Sequence, residues 1–207
     1  MMFSPEPYKI SLTTGGLFYR EALRVAALYR KLGDWQIVNQ TVRSQNLLQA
    51  RTQSSLGRTT QELLQRLQVL TTDELNLLLE GARSEQQHML WLATCKQYRF
   101  VHEFAIEVVR EKFLRFDMAL TYSDFDAFFF ARAEWHPELE QITLSTRKKV
   151  RQVLFRILAE AQIISPQKEI LPQVLSASVA QAIRADNPAL LLCFPMSDAD
   201  ILRLKTL

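Results

Sequence analysis

Apolar residues recur at helical spacing along most of this chain. Leu17, Ala22, Val25, Ala26, Leu28 and Tyr29 form one stripe and leave Arg20, Arg24, Arg30 and Lys31 outward. That pattern predicts a helix over 17–32, stopped by Gly33. Asp34 is a good N-cap for the next helix, which runs to about Ser44 and buries Trp35, Val38 and Val42. The polar, acid-free stretch 46–60 predicts a turn, with Thr59 or Thr60 capping a helix that carries Leu63, Leu64, Leu67 and Leu70. Thr71 and Glu74 have capping-box spacing, and Gly81 ends the short helix they open. Residues 84–116 are apolar on nearly every side; as a single helix they would span about 50 Å. A break near Gln97–Phe100 is therefore expected, giving two core helices. Before all of this, residues 1–13 look extended, with Pro5 and Pro7 resisting helix and weak alternation from Tyr8 to Leu12.

The last third differs in kind. In Ser145–Ser165, Val150, Val153, Leu154, Ile157, Leu158 and Ala161 follow one helix face. Lys148, Gln152 and Arg156 fall opposite, flanked by Arg147, Lys149 and Arg151, and no acid precedes Glu160. Ser145 is the expected cap. Ile163-Ile164 and Ile170-Leu171 enclose Ser165-Pro166-Gln167-Lys168-Glu169, which predicts a short β-hairpin. Upstream, Ser123-Asp124 can open a helix through Trp135, and Pro137 a short one through Thr143. Three helices and a hairpin over 122–175 have the order of a winged helix-turn-helix, in which the third helix enters a major groove and the hairpin reaches backbone through Lys168.

Composition sharpens this reading. The 207 residues are 48% hydrophobic and 23% charged, ordinary for a chain that buries a core. The net charge of +3 is unevenly spread. Tyr8–Leu70 is net +6, Thr71–Glu140 net −6, and Gln141–Ile164 net +4. Two basic blocks flank an acidic one, a pattern for basic surfaces that meet nucleic acid, unless the blocks interleave in space and cancel. No secretory signal or membrane-spanning stretch is evident, so a cytoplasmic protein without a membrane partner is expected. Cys95 and Cys193 lie among apolar neighbours and read as free buried thiols, with a disulfide as the alternative.

Catalytic chemistry is not indicated. Gly15-Gly16 precedes a helix but lacks a phosphate-loop pattern. Glu103, Glu107 and Glu111 with Arg99, Arg110 and Arg115 read as helix-surface ion pairing. Asp117, Asp124 and Asp126 surround a helix start, and His88, His102 and His136 share no metal-ligand spacing with either cysteine. No enzyme, cofactor or metal is expected.

Six segments resemble the BrxA family of BREX phage-defence systems: YKISLTTGGLFYREAL (8–23), LGDWQIV (32–38), NLLQARTQSS (46–55), CKQYRFVHEFAIEVVREKFL (95–114), LTYSDFDAFFFARAEWHPEL (120–139) and STRKKVRQVLFRIL (145–158). The likeness runs from about residue 8 to beyond 195. It implies a mainly all-α fold with a multi-helical N-terminal bundle like the RNA-binding antitermination factor NusB, and a link to DNA. It also implies the BREX methyltransferase, ATPase and phosphatase-like proteins as partners. The resemblance carries no catalytic residues. Combined with the pattern of charges, the expected architecture is a helical bundle over 1–117 and a winged-helix-like part over 118–207. The expected function is non-enzymatic binding of double-stranded DNA through Arg147, Lys148, Lys149, Arg151, Arg156 and Lys168, with Gln152 as the candidate for a base edge. Arg43, Arg51 and Arg58 form a second candidate set of phosphate ligands. The alternatives are RNA binding, with Phe155 as an exposed stacking ring on the outer side of the basic helix, and a protein-interaction adaptor.

Overall fold

Punctuating residues cut the chain into helices, and several act where the sequence places them. Gly33 adopts a left-handed conformation (φ 67°) and closes α1 (Tyr19–Leu32), its N–H donating to the Tyr29 carbonyl. The Asp34 carboxylate then accepts from the N–H groups of Gln36 and Ile37 and opens α2 (Trp35–Ser44). The computed structural model describes residues 7–10, 12 and 15–206, with Lys205 and Thr206 as backbone only. Residues 1–6, 11, 13 and 14, to which part of the extended N-terminal expectation applies, lie outside the described residues.

α3 (Gln53–Leu67) begins earlier than expected, capped by Thr52 rather than Thr59 or Thr60. Residues 53–60 are therefore helix and not turn. Leu56 and Thr60 are buried and extend the stripe of Leu63, Leu64 and Leu67 backwards; one leucine among Ser, Gly and Thr was too sparse a signal. α4 (Thr72–Glu80) opens on the expected capping box, with Thr71 Oγ1 accepting from the Glu74 N–H (3.3 Å) and Glu74 accepting from the Thr71 N–H (2.8 Å). The apolar hub divides as expected into α5 (Arg83–Gln97) and α6 (Arg99–Phe104), with Tyr98 extended between them. A π-helical stretch, Ala105–Arg110, which the sequence did not signal, continues into α7 (Glu111–Leu114).

Thr121 and Asp124 cap α8 (Tyr122–Ala133), so this helix starts before Ser123 and stops short of Trp135. α9 (Pro137–Glu140) is one turn and does not reach Thr143. Thr143, not Ser145, caps α10 (Leu144–Glu160) by accepting from the Thr146 N–H (3.2 Å). α11 (Ala177–Asp186), a 3₁₀ segment (Pro188–Cys193) and α12 (Asp198–Thr206) complete a mainly helical chain.

The predicted hairpin is not formed. Ile164–Ile170 and Ala119–Glu169 are isolated antiparallel bridges. The turn closes, with the Lys168 N–H on the Ser165 carbonyl (2.8 Å) and the Ser165 N–H on the Glu169 carbonyl (2.8 Å). Its returning arm is bonded on both edges: Leu171 N–H reaches Ile163 O (2.9 Å) on one, while Ile170 N–H reaches Met118 O (2.7 Å) and Leu120 N–H reaches Lys168 O (2.9 Å) on the other. Pro172 removes the next donor, so no ladder extends.

One hydrophobic cluster runs from Tyr8 to Ile201. Trp91 is fully buried in it, and its indole N–H donates to the Cys193 carbonyl (3.0 Å), tying the hub to the C-terminal segment. The Gly15–Gly16 pair has a packing role: the Glu160 carboxylate at the end of α10 accepts from the Leu17 N–H (2.6 Å). A Cβ on Gly16 would come within 2.4 Å of that carboxylate, and Arg66, paired with Glu62 at 2.6 Å in the core, donates to the Gly16 carbonyl (2.8 Å).

Candidate nucleic-acid interface

The inner stripe of α10 is buried as its periodicity requires: Val150, Val153, Leu154, Ile157, Leu158 and the adjoining Ala161 are all inaccessible. That anchoring leaves Lys148, Lys149, Gln152 and Arg156 exposed, and no ion pair among the described residues holds any of these three cations. Lys149 Nζ reaches only the Gln152 side-chain oxygen, at 3.5 Å.

Arg147 and Arg151 behave differently. Both are half-buried and turn back onto Asp126 of α8, Arg151 through a direct hydrogen bond and Arg147 at 3.7 Å. Arg147 also lies 4.5 Å from the Phe130 ring centroid, and Arg151 lies 4.6 Å from that of Tyr122. These stacked, paired guanidiniums have fixed positions, and their charge is partly neutralised by one carboxylate.

Lys168 comes to the same place from the turn after α10, its Nζ 4.0 Å from the Tyr122 centroid. Tyr122 is thus the hub of the cluster and remains 39% exposed. A surface concavity of about 440 Å³ is lined by Tyr122, Ser145, Lys148, Lys149, Arg151 and Gln152. It contains cations, hydroxyls and an amide but no carboxylate. Such a recess favours an anion, because each wall group donates and none repels.

Phe155 does not face outward as expected. It is 5% exposed and packs edge-on against Tyr122 (4.8 Å), because α10 is covered on that side by α8. Tyr122 takes the place of the exposed ring. Sequence reasoning gave it no role, and no local spacing could have: its partners Arg151, Phe155 and Lys168 come from distant segments. Asp126 was weighed only as a helix-start acid, whereas it orders two arginines of the basic helix.

Arg156 sits further along α10, where its Nη1 is 3.5 Å from the Gly15 carbonyl, and borders a second concavity with Arg20, Arg83 and Glu160. Arg43, Arg51 and Arg58 are exposed on α2, the following connection and α3. No described contact joins them to the α10 cluster.

Several other ionisable groups pair internally. Arg99 and Arg132 meet Glu103 at 3.2 and 2.9 Å, and Lys112 holds Asp117 and Asp124. Buried His88 is held by Gln173 (3.1 Å), and burial lowers its pKa. Among the described residues no three His, Cys, Asp or Glu side chains are grouped as a metal ion needs, and no helix is long and apolar enough to cross a membrane.

Residues 6–187 match the family model described as BrxA. A protein from Bacillus cereus (strain H3081.97) named "BREX protein BrxA" is 28% identical over 188 residues, covering 89% of this chain and 94% of that protein. Another with the same name, from Escherichia coli O9:H4 (strain HS), is 27% identical over 173 residues, covering 83% and 81%. The fold is similar to the crystal structure of an uncharacterized protein from Magnetospirillum magneticum, with a TM-score of 0.77 and 20% identity over 90% of this chain and 97% of that one.

Proposed function

Because this chain belongs to the BrxA family, we propose that it is a non-enzymatic, double-stranded-DNA-binding accessory protein of a BREX phage-defence system. The observation that carries the DNA reading is the acid-free recess on α10. In this reading residues 118–207 face the duplex and residues 1–117 form the helical, NusB-like body. α8, α9 and α10 followed by the bridged turn keep the order of a winged helix-turn-helix, although the wing is a turn and not a hairpin. α10 lies against a major groove, with Lys148, Lys149 and Arg156 on phosphates. Arg151 and Lys168 add charge at the edges, and Arg147 positions the helix through Asp126 and Phe130. Gln152 is the side chain with geometry for a base edge, adenine by preference, since its amide offers a donor and an acceptor together. The protein acts in the cytoplasm beside other BREX proteins, its proposed protein partners.

A duplex titration at two or more salt concentrations tests this. If about five phosphates are engaged, log affinity falls with log salt at a slope near −4 to −5. A salt-independent affinity rejects the reading. Exposed Tyr122 between two cations favours one second reading, single-stranded RNA stacked on that ring. Competition between duplex DNA and single-stranded RNA separates the two, and Tyr122→Ala weakens only the RNA complex strongly, by about 1–3 kcal/mol.

A further inference from the structure

Arg156 is the last cation on the open face of α10, and the concavity beyond it is built with residues from other segments of the chain. Arg20 comes from the first turn of α1, and Arg83 is the first residue of α5. With Arg156 they line a recess of about 580 Å³. All three side chains are exposed, and no ion pair among the described residues holds any of them. Arg83 lies 5.5 Å from the Tyr19 ring centroid, and Arg156 Nη1 lies 3.5 Å from the Gly15 carbonyl. Uncharged groups therefore place two of the guanidiniums and leave their charge whole.

The walls also carry two carboxylates, Glu21 and Glu160. That of Glu160 is drawn towards the backbone: it accepts from the Leu17 N–H (2.6 Å) and lies against Gly16. The Gln87 side chain, donating to the Glu160 carbonyl (2.8 Å), holds the end of α10 against α5. Glu21 makes no ion pair with these arginines among the described residues. Three guanidiniums against two carboxylates leave one net positive charge. Phe18 supplies no capping oxygen to α1, so the positive end of that helix makes a small addition. Such a recess is too weakly charged to gather a free phosphate from dilute solution. It suits a phosphate that a neighbouring contact delivers at high local concentration.

We propose that this recess takes a backbone phosphate of the same duplex that α10 contacts, so that the N-terminal body touches DNA together with the basic helix. The proposal rests on the DNA reading above and extends it. Continuity selects the duplex as the source of the phosphate. Lys148, Gln152 and Arg156 share one face at intervals of four residues. From Lys148 to Arg156 the helix rises about 12 Å, and the major groove is about 12 Å wide. A duplex held at Lys148 therefore carries a strand past Arg156 and over Arg20 and Arg83. Both arginines bind phosphate oxygens and fix the position of the strand without reading a base. Glu21 is the repulsive group at this end of the track.

The test compares duplex titrations over a range of salt for the parent, for a variant carrying Arg20→Ala and Arg83→Ala, and for Glu21→Gln. The double variant is expected to lose about tenfold in affinity and to flatten the slope of log affinity against log salt by about 1, the loss of one phosphate. Circular-dichroism melts equal to that of the parent check the fold. Glu21→Gln is expected to raise affinity by about threefold. Millimolar inorganic phosphate, matched in ionic strength with chloride, is expected to leave the parent's affinity unchanged. A parent that binds no duplex removes the DNA reading and this proposal with it. A parent that binds, with a double variant of unaltered affinity and slope, overturns this proposal alone. Weaker duplex binding by Glu21→Gln also overturns it. So does competition by phosphate that the double variant abolishes, which makes the recess a site for a free anion.

Discussion

Around Tyr8, on the faces of α6 and α8, charge is closed upon itself: Arg99 and Arg132 share Glu103, Arg132 also meets Glu107, and the Tyr8 hydroxyl donates to Glu103. On α10 the same residue types stand open, and Lys148, Lys149 and Arg156 meet no carboxylate among the described residues. The acidic middle block of the sequence neutralises mostly its own arginines. Among the described residues only Asp126 crosses to the basic helix. A run of cations therefore points to a partner only where the opposite charges of the chain are engaged elsewhere.

The sharpest way to break this contrast is at its most closed pair. Arg66 and Glu62 are both nearly inaccessible, with Tyr98 donating to Glu62 at 2.6 Å. Arg66→Ala strands a buried carboxylate and is expected to cost about 3–5 kcal/mol in urea unfolding. A loss below about 1 kcal/mol would mean that closed charge is not structural here. Next in size is the open surface. Reversing Lys148 and Lys149 to Glu is expected to lower duplex affinity about a hundredfold, near 2.7 kcal/mol, with an unchanged thermal melt. Unaltered binding moves the interface, first to Arg43, Arg51 and Arg58.

A smaller change probes the crossing point. Asp126→Asn releases Arg147 and Arg151 from their carboxylate. Duplex affinity should rise by up to about fivefold, and the pairs should be worth less than about 1 kcal/mol of stability, as partly exposed pairs are. A fall in affinity would instead make Asp126 a positioning residue whose order outweighs its charge. The smallest effect concerns Tyr8, raised to about 12 by burial first and then by Glu103. Because the folded pKa exceeds the ordinary 10.0, this contribution is whole below pH 10 and is lost as pH climbs from 10 to 12. Absorbance at about 295 nm should show one tyrosine ionising late, and Tyr8→Phe should flatten the alkaline decline in melting temperature. An unchanged alkaline slope in Tyr8→Phe would place the cause elsewhere.

Much of the helical framework was legible because caps and stripes are local. Gly33, Asp34, the Thr71–Glu74 box, the break at Tyr98 and the buried stripe of α10 all stand where pattern alone put them. The early start of α3 was hidden because only Leu56 marked its first turns as buried. The turn at 165–169 closes with a single bridge and no ladder, and the other edge of its returning arm pairs with Met118–Leu120, a contact that no window around residues 163–171 contains. Phe155 was misplaced for a similar reason: its angular position on α10 is correct, but α8 covers that angle.

The sequence by itself determined that the stretch Ser145–Ser165 carries a rod with one aliphatic side and one cationic side, since the segregation of positions at 3.6-residue spacing depends only on neighbours along the chain. The tertiary structure alone decided which of those cations are free. It also decided that Tyr122 lies between Arg151 and Lys168, and that Cys193 lies 3.3 Å from His102. Those outcomes depend on distances of a few ångströms between segments far apart in the chain, and such distances are set by how helices pack, not by the period of any one of them.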